Sequence, residues 1–412
     1  MAFLHGIEHI DLEADFAPVN DVVTAVIGLI GTHDGTLDED EITPVYPVKT
    51  NELVLCTSEK DDAKFGKLGT IPEALKAIRL QASKRGSALV FVISVGMNTD
   101  TITPEQIVGD VSPTSARTGL KLFATAKGKF GFEPMIYIAP RYSALDAVMA
   151  ELQAIANKNE AMAYIDAPDG YTFAEAIASR AVNGDFANLD EGQKLLFPQF
   201  LVPNPKFVDN ETTPEEKRFL TSPMSPFMAG LRAKVDLDSG WHFSSSNNRL
   251  YGVSGMDVDL TFSLGDPNSE VNLLNAAGIT TAVSLPGNGT VEWGNYTTGF
   301  PGNTGLDAFE VVRRTRAIMK RAIEQAVIRF IDKPFSQASI DAIRNTVNQY
   351  LNQLVAQGKL IYGKCFYKPE SNPVGQLAMG HLTFDIEFTP SIPMQRLTFT
   401  YKIDLNQLTG IL

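Results

Sequence analysis

The sequence predicts a mixed α/β fold (α+β in its last third), and three observations carry that prediction. Residues 22–30 and 88–95 are apolar, β-branched runs, the pattern of strands covered on both faces. Between them, residues 71–80 have a helical apolar period, with Thr70 placed to cap it and Pro72 in its first turn. Farther on, strand-like and helical stretches alternate, as a parallel sheet with crossover helices must. With ~150 residues per domain as a soft guide, the chain has length for two to three domains. Its 44% hydrophobic and 20% charged residues are ordinary globular values, so it buries cores rather than staying unfolded.

Residues 1–20 are short, half-polar and interrupted by Pro18, which reads as an extended arm outside the core. The strand at 22–30 runs into Gly31-Thr-His-Asp-Gly35, read as a tight turn, and then an acidic loop at 38–41. Residues 98–112, polar with spaced Thr and Pro, read as a domain boundary. Beyond it come a helix near 115–126, a strand at 135–139, a helix at 143–157, a strand at 161–166, a helix at 173–182 and a strand at 197–202. A small α/β layer results between 98 and 225, and the proline-rich stretch 203–226 reads as a second boundary or exposed loop. The strongest helical patterns of the chain are 307–332 and 336–357, separated by Pro334, with Ser336 capping the second and Gly358 ending it.

The C-terminal end alternates. Leu382, Phe384, Ile386 and Phe388 are interleaved with Thr383, Asp385 and Glu387, the pattern of a half-buried strand. After the hinge at Pro390 and Pro393, Leu397, Phe399, Tyr401 and Ile403 alternate with Thr398, Thr400, Lys402 and Asp404. Residues 395–412 therefore read as a strand in need of a sheet, its own or a neighbouring subunit's, because an uncovered regular edge templates aggregation.

Formal charge is −13, which disfavours nucleic acid and anionic membranes as partners. The start lacks a basic segment followed by an apolar core, and no stretch approaches the ~18 apolar residues of a membrane span. Cys56 and Cys365, far apart, read as buried thiols. His5-Gly-Ile-Glu-His9 has the HxxEH spacing of inverted zinc proteases but holds a glycine and little helical pattern. Gly28-Leu-Ile-Gly-Thr-His-Asp-Gly35 matches no phosphate-binding spacing, and Gly252-Val-Ser-Gly255 misses the nucleophile elbow by one residue. No catalytic residue, cofactor or metal is expected; the competing reading is a cytosolic α/β enzyme with a small-molecule site near residues 28–35. One charge feature stands out: Arg313, Arg314, Arg316, Lys320 and Arg321 follow one another with no acid between them. On a helical wheel most of them lie opposite the apolar stripe of 307–332, a surface suited to an acidic partner.

Taken in order, several motifs resemble the contractile-tail sheath proteins of tailed phages and phage-tail-like bacteriocins. His5-Gly-Ile-Glu-His-Ile-Asp-Leu is similar to the family's opening arm, and Val22-Val-Thr-Ala-Val-Ile-Gly-Leu-Ile-Gly-Thr32 to the strand that follows. Gly240-Trp-His and Ser246-Asn-Asn resemble its GW…SN segment. Leu273-Leu-Asn-Ala-Ala-Gly-Ile-Thr-Thr281 followed by Val291-Glu-Trp-Gly-Asn-Tyr-Thr297 resembles its LN-x-x-GI…WGNRT, with Tyr296 where the family usually has Arg. Asp332-Lys-Pro, Leu360-Ile-Tyr-Gly and Phe384-Asp-Ile-Glu-Phe-Thr-Pro390 complete the set.

The resemblance implies a virion tail protein, assembled in the bacterial cytoplasm as stacked six-subunit rings around a tail tube, with baseplate and tail terminator as further partners. A sheath of a non-phage contractile injection system has the same signature. The resemblance also implies a discontinuous inner domain of residues 21–97 and 226–394 with an outer α/β domain inserted at 98–225. N- and C-terminal arms of neighbours would add strands to a two-stranded element of each inner domain. Here the arms would be residues 1–20 (Ile7, Ile10, Leu12) and 395–412 (Leu397, Phe399, Tyr401, Ile403), and the host edge would include Leu382, Phe384, Ile386 and Phe388. Hinges would sit at Pro18 and Pro390–Pro393. The basic helix residues Arg313, Arg314, Arg316, Lys320 and Arg321 become the candidate tube contact.

Overall fold

The main sheet grows around β1 (Val26–His33), every residue of which is buried. The computed structural model describes residues 23–34, 48–114, 116–207, 218–334 and 336–404. Ile7, Ile10, Leu12, the acidic loop and residues 405–412 lie outside them. Beside β1 come β2 (Leu53–Cys56), β3 (Leu89–Met97), β4 (Ile136–Ile138), β5 (Met162–Asp166), β6 (Gln193–Leu196), β10 (Ile279–Leu285) and β11 (Gly289–Trp293). The order is β11-β10-β6-β5-β4-β1-β3-β2. The six inner strands are parallel, and β2 and β11 close the two edges antiparallel. A small antiparallel sheet, β8-β7-β9, is made of β7 (Phe200–Pro203), β8 (Phe219–Ser222) and β9 (Gly255–Met256).

Parallel strands need helices on both faces, and alternation along β1 sorts its side chains between two cores. Ile27 and Leu29 face one core with helices α1 (Thr70–Leu80) and α4 (Ser225–Asp238). Val26 and Ile30 face the other with α2 (Asp146–Lys158), α3 (Phe173–Ser179) on its flank, and the end of α5 (Glu270–Ala276). Helices α1 and α4 cross closely at Gly230, where a Cβ would stand 2.9 Å from Ile78 Cα.

Two expectations change here. The strands of 98–225 do not form a separate domain, because β4 pairs with β1 and β6 with β10, so the inserted segment completes the sheet begun by 21–97. The stretch 98–112 is polar without being a linker: it carries a capped helical turn, Pro104–Val108, whose Ile107 is buried in the core. The second body lies instead at the C-terminal end. There α6 (Glu310–Val327), α7 (Gln337–Ala356), β12 (Leu360–Phe366) and β13 (Asp385–Pro390) enclose a third core. Ser336 caps α7 as expected, accepting from the Ser339 N–H at 3.2 Å.

The first glycines of 28–35 lie in β1 rather than in a turn. A Cβ at Gly28 would meet Tyr137 at 2.9 Å, and one at Gly31 would meet Thr70 Oγ1 at 2.2 Å. The small-molecule site of the competing enzyme reading, near residues 28–35, therefore has no room among its described residues. Thr70 is not the cap of its helix either. Its hydroxyl accepts from the Thr32 N–H at 2.9 Å, and Gly69, with φ +111°, occupies the cap position. A Cβ at Gly69 would lie 2.6 Å from the Thr32 carbonyl oxygen. Gly69→Ala is expected to lower unfolding free energy by about 2 kcal/mol or more; an unshifted denaturant midpoint would contradict this account of the β1–α1 junction.

Candidate functional site

Antiparallel β12 and β13 form a two-stranded sheet, and no described strand pairs with either outer edge. Facing pairs give it two different faces. Gly363–Phe388 and Cys365–Ile386 lie on the inward face, where Leu360, Cys365, Phe384 and Phe388 pack on α7. Lys364–Glu387 and Phe366–Asp385 lie on the outward one. The edges are unequal. The Asn348 side chain of α7 donates to Cys365 O at 3.0 Å and accepts from its N–H at 2.8 Å, so those groups of β12 face away from β13 and are already paired.

The chain leaves β13 at Pro390, and Ser391 Oγ donates to Gly358 O at 2.7 Å, pinning the exit. Residues 391–404 then join no ladder. Leu397, Phe399, Tyr401 and Ile403 are 69%, 71%, 91% and 85% exposed. Four large apolar side chains at alternate positions, standing in solvent, are a strand without its sheet.

The basic helix is placed otherwise than the wheel suggested. Arg314 is fully buried, its guanidinium paired with Asp236 of α4. Arg313 donates to Asn157 Oδ1 at 3.0 Å, Arg316 to Asp307 Oδ2 at 2.7 Å, Lys320 to Glu160, and Arg321 to Asn159 O with Glu133 at 3.3 Å. Arg313, Arg314 and Arg321 thus act as a fastening to the main body instead of an open tube contact, while Arg316 and Lys320 keep their ion pairs at the surface. The face opposite the apolar stripe meets the main body, which a single-helix projection cannot see.

Behind that fastening lies a site that composition and spacing did not reveal. Lys194 of β6 donates to Glu292 of β11 and, at 2.6 Å, to Glu310 at the start of α6. Tyr164 of β5 donates to the other Glu310 oxygen at 2.5 Å. Arg232 holds Asp236 at 2.7 Å, and Asp236 also takes Arg314. All six ionised groups are buried. Burial pushes the Glu310 carboxyl up, but Lys194, Arg232 and Arg314 outweigh it and hold it down at about 2. Burial and the charge of Glu310 raise Glu292 against the pull of Lys194. A lone lysine within Gln193-Lys-Leu-Leu-Phe197 and a glutamate inside Val291-Glu-Trp293 were the available signals.

The motifs noted above converge here. Ser245 donates to Glu292 at 3.0 Å, Ser244 to Asn295 at 2.6 Å, and the Glu310 N–H to Asn295 O at 3.0 Å. Tyr296, in place of the usual Arg, stacks on Phe300 with centroids 4.0 Å apart and lies 4.7 Å from Phe309, the residue before α6. Its role is packing that sets the start of α6. Among the described residues no cluster of His, Cys, Asp and Glu could hold a metal, and no helix is long and apolar enough to cross a membrane.

Comparison with known proteins finds matches over more than half of the chain. A family model described as phage tail sheath protein central domain matches residues 115–298, and one described as phage tail sheath C-terminal domain matches 308–404. The tail sheath protein of Burkholderia phage BcepMu is 32% identical, covering 97% of each chain. The major tail sheath protein of Serratia phage KSP20 is 32% identical over 96% of this chain and 94% of its own. Among solved structures, the anti-feeding prophage helical sheath in its contracted state has the same fold (TM-score 0.66, 17% identity, 97% of this chain and 100% of that one). So does the sheath complex of an extracellular contractile injection system in its contracted state (TM-score 0.67, 14% identity, 99% of each).

A carboxyl held below its ordinary value stabilises the fold fully above that value, and the contribution fades as pH falls toward about 2. Glu310→Gln is expected to cost about 3 kcal/mol at neutral pH, since it strips a buried partner from Lys194. It should also flatten the loss of stability below about pH 4.3, the ordinary glutamate value. Denaturant titrations at a series of pH values check both; an acid limb as steep as wild type would refute the assignment.

Proposed function

This chain belongs to the phage tail sheath family, and we propose that its copies are joined into a contractile sheath by strands that each subunit lends and accepts. It is a structural protein of a contractile tail, and its relatives are tail sheath proteins rather than enzymes. What carries the strand-exchange reading is one juxtaposition. The tail 391–404 has an apolar face and no sheet, and β12–β13 is a sheet with no strand on its outer edges among the described residues. Backbone hydrogen bonds across those edges would tie copies together while leaving each body free to turn.

In this reading the subunits stack as hexameric rings around a tail tube, between a baseplate and a tail terminator, after synthesis in the host cytoplasm. Contraction needs no nucleotide. A repacked interface of standard size buries about 1,600 Å², and many subunits summed supply the work that drives the tube through an envelope. Flexing falls after Ser391, since Pro390 is buried and the Ser391 hydroxyl is tied down. One solved neighbour of the same fold comes from an extracellular contractile injection system, where these subunit mechanics would apply unchanged.

Overexpressed full-length protein is expected to form long hollow tubes in negative-stain images. Deleting residues 395–412 should leave a folded monomer, by circular dichroism and sedimentation, that no longer polymerises. Tubes of normal length from the truncated chain would overturn strand lending by the tail.

A further inference from the structure

We propose that Asn288 is a self-modifying site: its side-chain amide is lost to attack by the backbone nitrogen of Gly289, and the Arg249 guanidinium beside them assists and then holds the carboxylate that forms. The proposal does not depend on how copies of the chain are joined.

Asn-Gly occurs twice, at 183–184 and 288–289, and the two are held differently. Residues 286–289, in the turn between β10 and β11, are all exposed. The Asn288 N–H donates to Leu285 O at 3.0 Å, while its side chain has no hydrogen-bond partner among the described residues. Leu285–Gly289 is the last pair of the ladder, where fraying begins. Gly289 has no Cβ to keep its nitrogen from reaching Asn288 Cγ. The other pair is locked. The Gly184 N–H donates to Ala181 O at 2.9 Å, and a Cβ at Gly184 would stand 2.4 Å from Ser179 O.

Charge singles out the same pair. A Cβ at Gly289 would lie 3.4 Å from Arg249 Nε and 3.7 Å from its Cζ, so the guanidinium rests against that residue. Arg249 stacks over the Tyr251 ring at 5.3 Å and has no carboxylate partner among the described residues. A cation there stabilises both the nitrogen anion that attacks and the oxyanion that follows. Arg180, three residues before Asn183, is instead committed to the carbonyls of Phe186, Ala277, Thr298 and Phe300. The step balances with water alone. The Gly289 nitrogen bonds to Asn288 Cγ, the Cγ–Nδ2 bond breaks, and ammonia leaves with the proton of the Gly289 amide. Water then opens the five-membered imide at either carbonyl, giving aspartate or isoaspartate. Both products place a new carboxylate beside Arg249, an ion pair that the newly made chain lacks.

The test incubates the full chain in mildly alkaline buffer made with heavy-oxygen water, so that each conversion carries a solvent oxygen. Peptide mass spectrometry then follows both sites, and electron-transfer fragmentation separates aspartate from isoaspartate. In the folded protein Asn288 is expected to convert about five times faster than Asn183. In urea, with both turns open, the two rates should converge. Arg249→Gln should slow Asn288 about threefold at low salt and leave Asn183 unchanged, while Arg249→Lys, which keeps the charge, should retain most of the rate. Circular dichroism confirms that each variant is folded. Asn183 converting as fast as Asn288 in the folded protein, or a difference that persists in urea, would overturn the site. An Asn288 rate indifferent to Arg249→Gln would overturn the part given to Arg249.

Discussion

Three cations and three carboxylates occupy the dry space between the main sheet and α6, and the rest of the architecture depends on their matching. Lys194, Arg232 and Arg314 face Glu292, Glu310 and Asp236, so the set sums to zero. A charge left there without its partner costs several kcal/mol, far more than a misplaced apolar contact. Glu310 and Arg314 are a turn apart on α6, and their partners sit on three different elements of the body. That fixes both the rotation and the slide of the helix. Past this point α6 carries Ile318, Met319 and Ala322 into the third core, where Met135 and Trp241 of the main body meet Leu351, Leu354 and Leu360. The strand pair therefore faces the main sheet at a set angle.

Much of the fold was legible because buried parallel strands and amphipathic helices leave strong one-dimensional marks. The strands around Val26–His33, Leu89–Met97 and Met162–Asp166 and the helix Gln337–Ala356 are readable from apolar period and capping residues alone. What escaped was relational. A helix wheel separates apolar from charged, but not solvated charge from charge buried against a second body, and so Arg313, Arg314 and Arg321 were misassigned. Domain partition failed for the same reason: polar residues at 98–112 look like a linker until β4 is seen beside β1. The tail was legible to a different degree, because alternation at Leu397, Phe399, Tyr401 and Ile403 marks an apolar face whether or not a sheet lies beside it.

Open edges carry risk, since they pair with whatever strand arrives first. The outward face of the strand pair limits that freedom with Lys364, Asp385 and Glu387, and Asn348 shortens one edge. In the proposed exchange the inward face would supply affinity through apolar contact and the outward one would discriminate among partners. Separating the two tasks by strand face lets the tail remain strongly apolar on one side without making every edge an acceptor.

A subunit that lends two strands and accepts two has four links to its neighbours. Units with two links make a chain, which one break severs. Units with four make a net, in which every copy is reached by several independent routes. Load applied at one ring then spreads sideways as well as along the axis, and a defective subunit weakens its surroundings without parting the tube. If strands are exchanged as proposed, the outer edges of β12 and β13, unpaired among the described residues, would be the geometric origin of that redundancy.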